Sequence, residues 1–237
     1  MSERSGNVQA SAEAPFGERV SGMTQRTLVI GNKNYSSWSL RPWLAMQVLE
    51  IPFEEVLIPL DLPDTKEKIH AYSLAGKVPV LIEDDLTVWE SLAIMERLYE
   101  TFPERGVWPE DPVLRAEARA ISAEMHAGFT ALRGYYPMNT RKRIDGREPT
   151  PAVAADIARI TQIWRDCLES SGGPFLFGAF CAADAMYAPV VSRFETYRVA
   201  VDDICRAYMD DILTLPVFEA WYAAGEAEPW ILEADEV

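Results

Sequence analysis

Across 237 residues, 22 basic side chains face 37 acidic ones, and the resulting net charge of −15 repels nucleic-acid phosphates and anionic membrane surfaces. A hydrophobic share of 49% with 25% charged residues fits an ordinary soluble fold, and the length suffices for one large core or two small ones. Two histidines, His70 and His126, and three scattered cysteines, Cys167, Cys181 and Cys205, lack HExxH, CxxC or any metal-ligand spacing, which argues against a metal centre and for a reducing cytoplasm.

No apolar run reaches membrane-spanning length and no secretory h-region opens the chain, so neither nucleic acid nor a membrane is expected as a partner. Residues 1–25, rich in Ser, Gly, Glu and Ala, read as a flexible leader, with Met23 a second possible start. Thr27 to Gly31 is a short β-branched run, expected as a buried strand. Ser39 is expected to cap a helix from Leu40 to about Leu49, with Pro42 inside its first turn. Phe53 to Leu60 has strand character and Thr65 to Tyr72 weak helical signals. Val78 to Ile82 and Leu86 to Trp89 are expected to form a hairpin around Glu83-Asp84-Asp85. Leu92, Met95, Leu98 and Tyr99 share one face of a helix reaching about Phe102.

From Asp111 the period changes to that of helices alone. Asp111 and Pro112 open a helix expected to run to about Arg133, and others fit Ala152 to Ser170, Ala182 to Ala200 and Asp202 to Leu213. Pro103 to Asp111 is the natural linker, which divides the chain into residues 26–104 and 111–230, with no internal repeat.

A strand, helix, strand, helix, hairpin, helix unit followed by a helical half resembles the glutathione transferase family over residues 26–225. The resemblance implies an α/β plus all-α protein: a thioredoxin-like N-terminal domain that binds glutathione as co-substrate, then an all-helical domain, in a cytoplasmic homodimer. It rests on three motifs. The loop Asn34-Tyr35-Ser36-Ser37-Trp38-Ser39-Leu40-Arg41 is similar to that of the zeta class, whose first serine is catalytic. Gly76-Lys77-Val78-Pro79-Val80-Leu81 resembles the family's Val-Pro segment, in which a cis proline turns the Val78 backbone toward the cysteinyl part of glutathione. Trp89-Glu90-Ser91-Leu92-Ala93-Ile94 offers a carboxylate for the γ-glutamyl ammonium and a hydroxyl with helix N-terminal amides for its carboxylate.

The chemistry explains the serine loop. A free thiol with a pKa near ~8.5 is mostly protonated at neutral pH, and a hydroxyl donating to sulfur at a helix N-terminus favours the thiolate. Ser36 leads as that hydroxyl, with Ser37 and then Tyr35 as alternatives. Lys77, ahead of Lys68 and His70, is expected to meet the glycine carboxylate. Trp38 stands where the zeta isomerases carry cysteine, and no cysteine lies between residues 26 and 100, which argues against thiol-disulfide exchange. Cys181 occupies the N-cap of the segment Phe177 to Ala185, where the family has Ser or Thr, while Asp184 is kept. Met125, Phe129, Tyr135, Tyr136 and Met138 could line an acceptor pocket or form core. The expected function is attack of activated glutathione on an electrophilic small molecule. The alternatives are a glutathione-dependent isomerase of the maleylacetoacetate type and a noncatalytic binding protein.

Overall fold

The structure, a computed structural model, describes residues 25–237, so nearly all of the expected leader lies outside the described residues. Strand β1 (Arg26–Ile30) leads to helix α1 (Ser37–Val48), strand β2 (Glu54–Leu57), helix α2 (Thr65–His70), the hairpin β3 (Val80–Glu83) and β4 (Leu86–Trp89), and helix α3 (Ser91–Thr101). The sheet order is β2-β1-β3-β4, with β1 parallel to β2 and antiparallel to β3, and β3 antiparallel to β4. A parallel pair needs a crossover, and α1 supplies it.

The two-residue side-chain period decides what each face of β1 meets. Leu28 and Ile30 join Leu40, Leu44, Ile94 and Leu98 beneath α1 and α3, while Val29 joins Ile58, Ile69, Val80 and Ile82 on the side of α2. Burial on both faces is why this strand reads as an unbroken apolar run. This is the thioredoxin-type sheet expected from the motif order.

The second half is helical: α4 (Pro112–Ala127), α5 (Thr130–Tyr135), α6 (Pro151–Ser171), α7 (Ala182–Thr196), α8 (Asp203–Leu213) and α9 (Pro216–Ala227). Strand β2 ends at Leu57 rather than Leu60, β3 begins at Val80 rather than Val78 and α2 ends at His70 rather than Tyr72, and four larger differences from the sequence expectation have a local reason. Helix α1 begins at Ser37 because Ser36, not Ser39, is the N-cap, its Oγ accepting the Ser39 N–H at 3.4 Å. Pro42 therefore falls past the first turn and leaves one carbonyl of that helix without its N–H partner.

The helix expected from Asp111 to Arg133 is cut at Gly128, where a Cβ would sit 2.7 Å from the Glu124 carbonyl, and at Phe129, which adopts φ +55° with its ring in the core. The helix expected to reach Ala200 stops at Thr196, before Arg198 at φ +50°. Finally, α9 follows Leu213, where the sequence signals assign no element; Pro216 opens it at the first helical position.

The Cys181 cap is compensated by Asp184. Its carboxylate accepts the N–H groups of Cys181 at 2.9 Å and Leu176 at 3.0 Å. Helix α7 is buried along nearly its whole length and packs extensively on α1, so one apolar cluster runs from Leu28 of the sheet to Trp221 of α9.

Candidate active site

The loop from Gly31 to Ser36 is a tight turn: Tyr35 N–H and Ser36 N–H both reach the Asn32 carbonyl, at 3.2 and 2.8 Å. The second half of the chain holds it in place. Asn34 Oδ1 accepts the backbone N–H and hydroxyl of Thr140, each at 2.8 Å, and the Glu228 carboxylate accepts the N–H groups of Lys33 at 2.6 Å and Asn34 at 3.2 Å. The three hydroxyls at the start of α1 thereby have different employments.

Ser36 Oγ shares a hydrogen bond with Ser39 Oγ at 2.8 Å besides accepting the Ser39 N–H, and Ser39 Oγ in turn accepts the Gly31 N–H at 3.0 Å. The Ser36 hydroxyl is thus engaged twice inside the cap. Ser37, the first residue of α1, accepts from Arg193 Nη2 at 3.1 Å. Tyr35 turns the other way: its hydroxyl donates to Glu236 at 2.7 Å, and burial together with that carboxylate raises its pKa, so it keeps its proton.

Positive charge gathers below these hydroxyls. Arg41 of α1 is 1% exposed and Arg193 of α7 is 5% exposed. Burial, followed by repulsion from Arg133 and Arg193, lowers Arg41 to about 9, while burial lowers Arg193 to about 10, so both stay protonated at neutral pH. Arg41 Nη1 reaches Ser91 Oγ at 3.5 Å and its Nε has no hydrogen-bond partner among the described residues. Its guanidinium lies 4.1 Å from the centre of the Trp38 ring, and Arg133 lies 5.3 Å from it. In a chain of net charge −15 this spot is locally cationic, and it adds to the positive end of α1.

Beside it lies a cleft of about 220 Å³ lined by Trp38, Lys77, Val78, Pro79, Trp89 and Glu90. Four of the seven residues singled out from sequence thus meet in one cavity. Ser91 is fully buried beneath Arg41, while Ser36 and Ser37, 7% and 6% exposed, stand at the helix start rather than in the cavity wall. The Val78–Pro79 bond is cis.

Glu90 is exposed and takes φ +70°, a conformation L-residues avoid, with His126 Nε2 3.7 Å from its carboxylate. Burial and the neighbouring Arg41 keep His126 below its ordinary pKa. Of the cation candidates, Lys77 is on the cavity wall, Lys68 is paired with Asp64 at 2.7 Å, and His70 faces Gly76. Met125, Phe129, Tyr136 and Met138 are all buried in the core, and Tyr135 packs against it, so the aromatic and methionine stripe is mainly core rather than pocket.

Sequence reasoning missed Arg193, Arg133, His126 and Trp89. Trp89 opens a quoted motif but was given no role in it, and nothing local marks Arg193, which lies 156 residues from its serine partner.

Known proteins resemble this chain in sequence over its first half and in overall fold. The family model described as the glutathione S-transferase N-terminal domain matches residues 35–101, which hold the three motifs except Asn34 at the start of the first. A probable maleylacetoacetate isomerase of Caenorhabditis elegans is 37% identical over 97 residues, 41% of this chain and 45% of that protein. The maleylacetoacetate isomerase of Rattus norvegicus is 28% identical over 170 residues, 69% of this chain and 76% of its own. Among solved structures, a glutathione transferase homologue from Burkholderia with bound glutathione superposes with a TM-score of 0.66 at 21% identity, covering 86% of this chain and all of that one. At that identity the likeness is one of fold.

Proposed function

Residues 35–101 match the glutathione S-transferase N-terminal domain, and from that premise we propose that the chain is a member of that family whose cleft binds glutathione and sets the sulfur beside Ser36 and Ser37 for attack on an electrophilic small molecule. The observation that carries this reading is the convergence of Lys77, Val78, Pro79 and Glu90 on one cavity beside the serine-bearing, cationic start of α1. Each part of the tripeptide finds complementary chemistry. The γ-glutamyl ammonium meets Glu90, its carboxylate meets Ser91 backed by the buried Arg41, the cysteinyl backbone pairs with Val78, and the glycine carboxylate meets Lys77. The thiol releases its proton to solvent, and the thiolate forms a carbon–sulfur bond as the electrophile's leaving group departs with its electron pair.

We take residues 26–104 as the glutathione-binding unit and 111–230 as the helical unit that selects the acceptor. The three cysteines are all free and buried, in keeping with the cytoplasmic location we assign. No helix among the described residues is long and apolar enough to cross a membrane. A homodimer and a role in detoxification complete the proposal. A second reading is favoured by the two named relatives: reversible addition of the thiolate to a double bond, with cis–trans isomerisation and no net consumption of glutathione. Trp38, in place of the cysteine of the zeta isomerases, weighs against it.

Calorimetry with glutathione, run beside a chlorodinitrobenzene conjugation assay and a maleyl-substrate isomerisation assay, tests these readings. Glu90→Ala is expected to weaken binding, and alanine at the activating serine to lower turnover with little change in binding. Conjugation without isomerisation supports the first reading and the converse the second. Absence of binding at millimolar glutathione would sink both.

A further inference from the structure

Resting on the glutathione-binding reading above, we propose that Ser37, not Ser36, donates the hydrogen bond to the glutathione sulfur, and that Arg193 of the helical half is the positioning residue that readies it. A serine hydroxyl has one proton to give and two lone pairs to receive. Ser36 Oγ is bonded to Ser39 Oγ at 2.8 Å and receives the Ser39 N–H, so its hydroxyl is engaged within the N-cap. Ser37 receives from Arg193 Nη2 at 3.1 Å, and among the described residues no acceptor takes its proton.

The contact does two things at once. It locks the Ser37 side chain by an interaction that uses only a lone pair, leaving the O–H to point elsewhere. A charged donor on the oxygen also draws electron density from the O–H and makes it a stronger donor to an anion. Ser37 is the first residue of α1, so the positive end of the helix acts in the same direction.

Arg193 is itself firmly held. Its Nη1 donates to the Tyr136 carbonyl, it is 5% exposed, and it comes from α7, the helix packed most extensively on α1. The charged groups that face it are Arg41 on α1, Arg133 on α5 and Asp235 near the C-terminus. Two of the three are cations, so the net field at Ser37 favours an anion there. The step moves no covalent bond: the thiol proton goes to solvent, Ser37 keeps its own, and the thiolate accepts Ser37 O–H and the field of the guanidinium.

The test is the pH midpoint of thiolate formation in the glutathione complex, read by ultraviolet thiolate absorbance, in wild type, Ser37→Ala, Ser36→Ala, Arg193→Lys and Arg193→Gln, with melting temperature and glutathione affinity measured alongside. We expect Ser37→Ala and Arg193→Gln to raise the midpoint by about one pH unit and to lower turnover at neutral pH about tenfold. Arg193→Lys, which keeps the charge, should recover part of the shift. Ser36→Ala should lower the melting temperature, as loss of an N-cap does, and move the midpoint less than half as far.

If Arg193 and Ser37 merely tie the two halves together, their variants will lower the melting temperature and leave the midpoint in place, which overturns the proposal. A midpoint that responds to Ser36→Ala and ignores Ser37→Ala overturns it equally. Should Arg193→Gln not fold, Ser37→Ala and Arg193→Lys decide alone. Wild type that binds glutathione with an unlowered midpoint defeats only this inference, whereas wild type that binds none defeats the parent reading too.

Discussion

Glu90 combines backbone strain with an exposed carboxylate at the mouth of the cleft. At φ +70° its Cβ crowds its own backbone, at a cost of order 1–3 kcal/mol that the surrounding fold must sustain. Nothing in the local hydrogen bonding repays it: the carboxylate makes no cap bond, and among the described residues the basic group that comes within 4 Å is His126, at 3.7 Å, whose protonation burial and Arg41 disfavour. Strain kept at an exposed position points to use. Glu90→Gly removes the Cβ and should therefore stabilise the chain by about 1 kcal/mol in denaturant unfolding while weakening glutathione binding at least about tenfold. A variant less stable than wild type, or one that binds glutathione unchanged, would contradict this account. The Glu-Ser pair was legible in the sequence because its meaning is local. The strain was not, since φ at a non-glycine residue is set by how the hairpin and α3 meet.

Helix α7 shows how an element tolerates an unsuitable cap. Cys181 supplies a poor acceptor, and Asp184 takes over by receiving two backbone N–H groups from within a fully buried position. Asp184→Ala leaves both donors unmet and should cost about 2 kcal/mol in thermal or denaturant unfolding.

Burial raises the Asp184 carboxyl to about 6, from an ordinary value near ~3.9. Between these values the folded chain holds a proton that the unfolded chain has released, so the contribution of this group to stability falls as pH rises from about 4 to about 6 and is flat above. Asp184→Asn should remove that slope from a plot of unfolding free energy against pH; an unchanged slope would assign it to other groups. The cap falls where the segment's resemblance to the family's capping segment puts it, with Asp184 three residues after Cys181. The sequence expectation overran α4 because helical periodicity continues across Gly128, and only the approach of Gly128 to the Glu124 carbonyl shows that the backbone must turn there. Moving the α1 cap from Ser39 to Ser36 has the same origin: Ser36 and Ser39 are both good caps, and the turn closed on the Asn32 carbonyl selects between them.

At the scale of the whole molecule, the serine loop belongs to the first half of the chain but is held by the second. The Glu228 carboxylate receives two consecutive loop N–H groups, Gly225 lies so close that an added Cβ would be 3.0 Å from Asn34 N, and Glu236 holds the Tyr35 hydroxyl. Glu228→Ala should leave both N–H groups without an acceptor, costing about 1–3 kcal/mol, and speed hydrogen exchange at Lys33 and Asn34 while lowering glutathione affinity. Unchanged exchange at these two amides would show that the tail is not what orders the loop. By itself the sequence determined the order of elements, the thioredoxin-like sheet and the three motifs on which the proposed glutathione site is built. Each of these is carried by side-chain periods and motifs confined to residues 26–102, where chain neighbours remain neighbours in space. Which hydroxyl is free to act was decided by tertiary structure alone. A serine hydroxyl bonds to whatever partner packing supplies, and here Ser36 finds Ser39 three residues away while Ser37 is met by an arginine 156 residues along the chain.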